Sequence, residues 1–181
     1  MRMLHTLVEE LARIAVNLIE SLGYWGILIG MTIESACIPL PSEVIMLFGG
    51  FLTAVGTFNF WFVAAAGVLG NVFGSVLTYW IGANGGRSLL EKYGKYLLIN
   101  PGHLDKADRW FSRYGDWTVF FARNLPVIRT FISLPAGLAR MNFVKFFVYT
   151  FVGCIPSNLA LTFLGFTLAE NWRLIEPYFR P

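Results

Sequence analysis

The sequence predicts an all-α integral membrane protein: an inverted repeat of two re-entrant helical hairpins, each followed by a transmembrane helix, with amphipathic interfacial helices besides. Three observations predict it. Apolar residues make up 56% of the 181 and charged residues only 14%, against roughly 25% charged in an average soluble domain, and mean hydropathy is +0.59. Asp, Glu, Lys and Arg are absent from Val44 to Gly86 and again from Phe146 to Ala169, and about 20 apolar residues suffice to span a bilayer. Prolines interrupt two other apolar stretches, at Pro39 and Pro41 and at Pro126 and Pro135. These features exclude a disordered chain, a disulfide scaffold and an ordinary cytosolic enzyme. One membrane domain covers residues 1–181.

Residues 1–20 form an amphipathic N-terminal helix. Leu4, Leu7, Val8, Leu11, Ile14, Ala15 and Leu18 recur at helical steps, which suits a helix lying in the interface. Glu9, Glu10, Arg13 and Glu20 interrupt any signal-like run, so no cleavage is expected. Residues 21–83 are the first repeat. Its apolar run 23–33 ends at Glu34, and two prolines within three residues cannot continue a helix. Apolar residues resume at Val44 and run to Val55. Broken backbone at membrane depth survives only inside protein or beside a water-filled cavity, hence the re-entrant reading. Residues 58–83 span, with Gly67, Gly70 and Gly74 on a stripe that admits close helix packing.

Residues 84–116 form a basic cytoplasmic surface segment. Residues 87–145 hold ten Lys and Arg against four acids, and basic loops remain on the cytoplasmic side. Leu104, Ala107, Phe111 and Tyr114 keep helical spacing after Pro101-Gly102. Anionic membrane lipids are the expected partners of this segment; no nucleic acid is expected. Residues 117–170 are the second repeat: a hairpin over 117–139 and a last span over 142–169. Residues 171–181 are a tail with Trp172 and Tyr178 as interfacial anchors. An offset of 83 residues places Asn59-Phe60 on Asn142-Phe143, Gly70 on Gly153 and Gly82 on Gly165, and an offset of 85 places Pro41 on Pro126. Inverted repeats with broken helices are a recurring transporter plan.

Four ionisable residues lie where charge is expensive: Glu34, Glu43, Arg123 and Arg129. One account is structural, two Glu–Arg salt bridges fastening the hairpins. The other adds function. The planar guanidinium fork binds phosphate bidentately, and half-helix ends aim backbone N–H groups at an anion. Arg123 and Arg129 flank Pro126, which keeps them off one continuous helix, so together they suit a lipid phosphate. Carboxylates out of water hold protons more readily, which makes Glu34 and Glu43 candidates for substrate balance and proton coupling. Pro39, Pro41, Pro126, Gly70 and Gly74 shape the cavity. Cys37 and Cys154 read as small core residues, and His5 and His103 are isolated. No Walker loop, HExxH or GxSxG occurs; Ser42 beside Glu43 is a nucleophile candidate only in form. No metal, no cofactor and no enzymatic activity are expected.

ESACIPLPSEVIMLFGGFL, the G-x-x-x-G that follows it, GKYLLI, WFSRYG and FFARNLPVIRTFISLPAGLARM together resemble the DedA family of bacterial membrane proteins over residues 20–172. The Arg123/Pro126/Arg129 spacing is the most specific part. The resemblance implies two facing re-entrant hairpins in an inverted repeat. It also implies movement of undecaprenyl phosphate from the outer to the inner leaflet of the cytoplasmic membrane, recycling the carrier for peptidoglycan and other envelope polymers. Family acidic positions match Glu34 and Glu43, and essential arginines match Arg123 and Arg129. Ser42, Ser75 and Ala83 stand where many members carry Gly, Asp and Arg. The expectation is therefore a multi-pass lipid-carrier flippase of the bacterial inner membrane with a polyprenyl phosphate as partner, proton coupling and homo-oligomerisation being left open. The alternatives are a proton-coupled small-solute or ion antiporter and a structural scaffold.

Overall fold

The computed structural model describes residues 13–14, 16–36, 41–93, 117–125, 129 and 132–179, with side chains described outside 85–93 and 170–179. The described residues form helices and turns, with no strands among them. Residues 16–22 are helical up to Gly23, and Ile19 from this segment is 1% exposed in the first core cluster. The amphipathic helix of residues 1–20 is therefore described only at its end, where it packs inward through Ile19.

The helices are α1, Tyr24–Ser35; α2, Ser42–Ala54; α3, Phe60–Tyr93; α4, Trp117–Arg123; α5, Ser133–Leu138; and α6, Phe143–Phe179. Both long helices overrun the spans read from the sequence, which stopped at residues 83 and 169. No proline lies between Phe60 and Tyr93, so nothing in that stretch withholds a backbone donor, and the helix continues through Gly85-Gly86. The apolar portions are Phe60–Asn84 and Phe143–Ala169, 25 and 27 residues. At 1.5 Å per residue these are about 37 and 40 Å long, enough to cross a hydrocarbon core about 30 Å thick. Exposed faces are apolar as well: Trp61, Phe62, Phe121 and Val144 are each more than 60% exposed. Water would penalise such a surface and lipid would not.

Packing follows a crossed plan. α1 lies antiparallel to α2, Gly30 facing Ile45 and Gly49 facing Ile27. α1 packs on α3, while α2 packs on α6. In the second half α4 packs on α6, while α5 packs back on α3. Glycines permit each close approach. A Cβ at Gly70 or Gly74 would strike the carbonyls of Leu28 or Thr32 in α1, and one at Gly153 would meet Arg123 and Phe120 of α4. Gly82 and Gly137 bring α3 against α5, and Gly50 and Gly165 bring α2 against α6. Side-chain amides open the two long helices alike: Asn59 Oδ1 accepts from Trp61 N at 3.0 Å, and Asn142 Oδ1 accepts from Val144 N at 3.0 Å and Lys145 N at 3.2 Å. The chain enters α3 through Gly56 at φ +82°, a conformation that costs a residue with Cβ.

Residues 94–116, which include His103 and most of the basic segment, lie outside the described residues, as do Cys37, Pro39, Pro126 and His5. The same holds for the side chains of Trp172 and Tyr178.

Candidate functional site

Where α1, α2, α4 and α5 meet the two long helices, the apolar interior gives way to a polar cluster. Glu34 is 4% exposed at the C-terminal turn of α1. A carboxylate there opposes the helix dipole, whose C-terminal end is negative, and depends on compensation from elsewhere. Arg129 supplies it: Arg129 Nη2 stands 3.7 Å from Glu34 Oε1, and both side chains are buried. Ser42, the first residue of α2, bridges the two. Its hydroxyl accepts from Arg129 Nη2 and donates to Glu34 Oε1 at 3.3 Å. Ser35 Oγ lies 3.1 Å from Glu34 Oε2 and 2.6 Å from Asn71 Oδ1 in α3. One hydroxyl has one proton, so the amide orientation in which Asn71 Nδ2 donates to Ser35 leaves that proton for the carboxylate. Thr78 Oγ1 donates to the Ser35 carbonyl at 3.1 Å and secures the end of α1 against α3.

Arg123 is 2% exposed at the end of α4, where a cation complements the dipole. Its Nη1 donates to the Arg129 carbonyl at 3.1 Å; its Nη2 donates to Ser133 Oγ at 2.6 Å and Thr150 Oγ1 at 3.3 Å. The guanidinium carbon sits 5.9 Å from the Phe146 ring centroid, within cation–π range. Arg123 therefore holds α4, α5 and α6 together and fixes the backbone from which Arg129 projects. Arg129 is 6% exposed and keeps a buried Nε without a hydrogen-bond partner. A buried guanidinium donor left unused is costly, and this one lies beside the only described carboxylate paired with it.

The structure thus brings together three of the four charges singled out in the sequence. Glu43 is exposed. The buried stripe of α2 runs Ser42, Ile45, Met46, Gly49, Gly50 and Thr53, and Glu43 falls off that face. Pro41 directly precedes the first turn of α2; Gly70 and Gly74 lie at the α1–α3 approach. Ser35, Asn71, Ser133 and Thr150 were not anticipated. Their signal was present, since each is a polar residue inside an apolar stretch, with Asn71 directly after Gly70. Ser42, weighed as a nucleophile, is a hydrogen-bond bridge. Ser75, fully buried, donates to the Asn71 carbonyl at 2.6 Å.

A membrane protein built of helices, with a buried ion pair between its two halves, is the class these features define. Residues 40–167 match the VTT domain. The chain belongs to this family, the DedA family of membrane proteins. It is 44% identical over 158 residues to "Undecaprenyl phosphate transporter A" of Bacillus subtilis, covering 87% of this chain and 78% of that protein. A protein of the same name from Staphylococcus aureus is 29% identical over 90% of this chain and 82% of its own. An "Alkaline phosphatase-like protein" of Lactococcus lactis is 36% identical, over 90% and 78%. No solved structure matches the chain.

Proposed function

We propose that this protein carries a polyprenyl phosphate, undecaprenyl phosphate above all, from the outer to the inner leaflet of the bacterial cytoplasmic membrane, where the carrier is reused in envelope synthesis. The observation that carries the reading is Arg129: a guanidinium buried between the two halves, paired with one carboxylate and retaining an unused donor. Glu34 neutralises it. An arriving phosphate competes for the same guanidinium, with Ser42 already placed as a neighbouring hydroxyl. Two anions on one buried cation repel strongly, so Glu34 withdraws or is neutralised as phosphate binds. Only neutralisation by a proton would couple transport to protons. Glu43, on the exposed side of the same turn of α2, would meet the phosphate or the proton before it reaches Arg129. Arg123 acts as a positioning residue.

The hydrocarbon tail needs no polar surroundings, so only the head group needs a polar path. The crossed packing of α1/α2 and α4/α5, the matched caps and the matched glycines support an inverted repeat whose two broken elements re-enter the membrane. The sequence name shared by two relatives supports the substrate. No covalent step is required, and Ser42 in its bridging position serves binding. The scaffold alternative accounts for the bonds of Arg123 to Ser133, Thr150 and the Arg129 carbonyl.

The test is leaflet-resolved transport of undecaprenyl phosphate in reconstituted vesicles. Wild type should move the lipid and Arg129→Ala should not. Wild-type rates from a well-folded Arg129→Ala would refute the reading.

A further inference from the structure

The head-group site leaves the carrier's hydrocarbon chain unplaced. Between α3 and α6 runs an apolar groove of ≈ 320 Å³. Ala64, Ala65 and Val68 form one wall, and Phe151, Ile155 and Leu159 the other. The groove follows α3 from Trp61 to Leu69, about 12 Å of helix. Its Leu69 end reaches the depth of the buried charges. Asn71, bonded to Ser35, is two residues further along α3, and Thr150, bonded to Arg123, adjoins Phe151. Behind the groove Val68, Val72 and Cys154 pack together with Ile155, and Cys154 lies within electrostatic reach of Arg123, Arg129 and Glu34. The other end opens beside Trp61, 69% exposed at the start of α3. The basic segment follows the opposite end of that helix, so by the positive-inside rule the groove opens toward the outer leaflet.

The two long helices differ in sequence at the corresponding place. The 83-residue offset that aligns the caps Asn59 and Asn142 and the glycines Gly70 and Gly153 sets Ala64 against Phe147 and Ala65 against Val148. The Phe147 ring lies 6.3 Å from Phe143 and 6.4 Å from Phe151, so the second half carries aromatic side chains where the first has alanines.

Resting on the head-group reading above, we infer that the α3–α6 groove holds the phosphate-proximal isoprene units of a polyprenyl phosphate loaded from the outer leaflet while its phosphate engages Arg129. The groove is apolar along its walls, begins at the depth of the phosphate site and leads to the leaflet from which the lipid comes. It takes the first few units, and the rest of the chain remains in the bilayer.

The test uses the full chain in phosphatidylglycerol–phosphatidylethanolamine vesicles, with two photoreactive probes: a polyprenyl phosphate carrying a diazirine in its first isoprene units, and a phosphatidylglycerol carrying one in an acyl chain. The polyprenyl probe should label 61–69 and 151–159 about tenfold more than the acyl probe, a preference equal to one decade of affinity. Ala65→Phe and, independently, Ala65→Leu should cut that labelling and the transport rate by about the same factor. Both should retain the wild-type melting temperature, and Leu77→Phe, on an exposed part of α3 outside the groove, should change neither readout. Equal labelling by both probes, photocrosslinked dimers through this face, or undiminished transport by the two groove-filling variants would overturn the inference. The two readings fail separately. If filled grooves transport normally while Arg129→Ala does not, only the groove is lost; if Arg129→Ala transports normally, the head-group reading is lost.

Discussion

In α1/α2 the charged residue of the last turn, Glu34, meets a serine across the chain break, Ser42 at 3.3 Å; in α4/α5 Arg123 meets Ser133 at 2.6 Å. Each half therefore fastens its broken element with a charge and a hydroxyl, and each packs its first helix on the long helix of its own half. The difference is the sign of the charge relative to the helix. Arg123 sits favourably at a helix C-terminus and turns its hydrogen bonds inward. Glu34 sits unfavourably at one and leans on Arg129, contributed by the other half. The second half's clamp joins its own residues, whereas the carboxylate of the first takes its ion pair from the other half. On the transport reading proposed above, the second half would be the fixed side of the site and the first the side that releases and recaptures the anion.

The largest expected effects come from breaking each side in turn. Arg123→Ala strands Ser133, Thr150 and the Arg129 carbonyl together. Removing one partner from a buried charged network costs about 3–5 kcal/mol, so the variant should lose both its cooperative melt in detergent and all transport. Arg123→Lys should not restore them, because a point charge cannot serve three acceptors in the geometry of a planar fork. Arg129→Gln should also abolish transport, but its instability should come from the unpaired Glu34. Adding Glu34→Gln should therefore recover most of the lost melting temperature without recovering transport. Recovery of transport in that double variant would make the buried pair a fastener and nothing more.

The acids sharpen the contrast between a buried and an exposed member of one site. Glu34→Gln removes the carboxylate that neutralises Arg129 and should leave phosphate release slow, so turnover should fall while lipid binding tightens. Glu43→Gln leaves the cluster intact and should lower turnover less, with melting unchanged; surface substitutions clear of special features usually stay within about 0.5 kcal/mol. Equal losses from the two would mean that Glu43 carries as much of the exchange as Glu34.

At the glycine crossings the effect should be smaller and confined to stability. A Cβ at Gly165 would strike the Leu47 carbonyl, and one at Gly137 the Tyr79 carbonyl. Both are contacts between the halves, where overpacking typically costs about 1–3 kcal/mol. Gly165→Ala and Gly137→Ala should each lower the melting temperature. Gly56→Ala, with nothing near its Cβ position but φ at +82°, tests backbone strain alone.

Much of this architecture was legible in the sequence because lipid imposes long apolar runs and punishes charge within them. The two long helices and the burial of Glu34, Arg123 and Arg129 follow from that one constraint. Pro135, read as an interruption, lies instead within the first turn of α5, where a missing backbone donor costs little. Glu43 escaped it: both glutamates flank the same break, and only the register of α2 decides that Ser42 turns inward and Glu43 outward. The extension of α3 to Tyr93 was hidden by Gly85-Gly86, whose helix-weakening tendency a continuing helix overrode. The division of labour between the arginines was hidden too. Two arginines six residues apart look alike in sequence, and only their partners from α1, α5 and α6 separate the clamp from the site. Ser35, Asn71, Ser133 and Thr150 were readable as polar residues in apolar company, but which would meet across the halves depends on packing angles that no local pattern records.

The smallest expected effect addresses whether the two halves are equivalent at all. Asn59 and Asn142 cap α3 and α6 at the same offset that aligns the packing glycines, and loss of an N-cap side chain costs about 1 kcal/mol. The caps are not identical in their surroundings. Asn59 accepts from Trp61 N alone, while its own backbone N–H donates to Tyr24 Oη at 2.8 Å; Asn142 accepts from two backbone donors. If the halves are energetically matched, Asn59→Ala and Asn142→Ala should lower the melting temperature alike and leave transport rates unchanged. The extra donor at Asn142 argues for a somewhat larger loss there, since its removal leaves two N–H groups at the start of α6 to find other partners. A larger loss at Asn59 would instead mean that the Tyr24 contact depends on the cap, and that the entrance of α3 and the end of α1 nearest it melt as one unit.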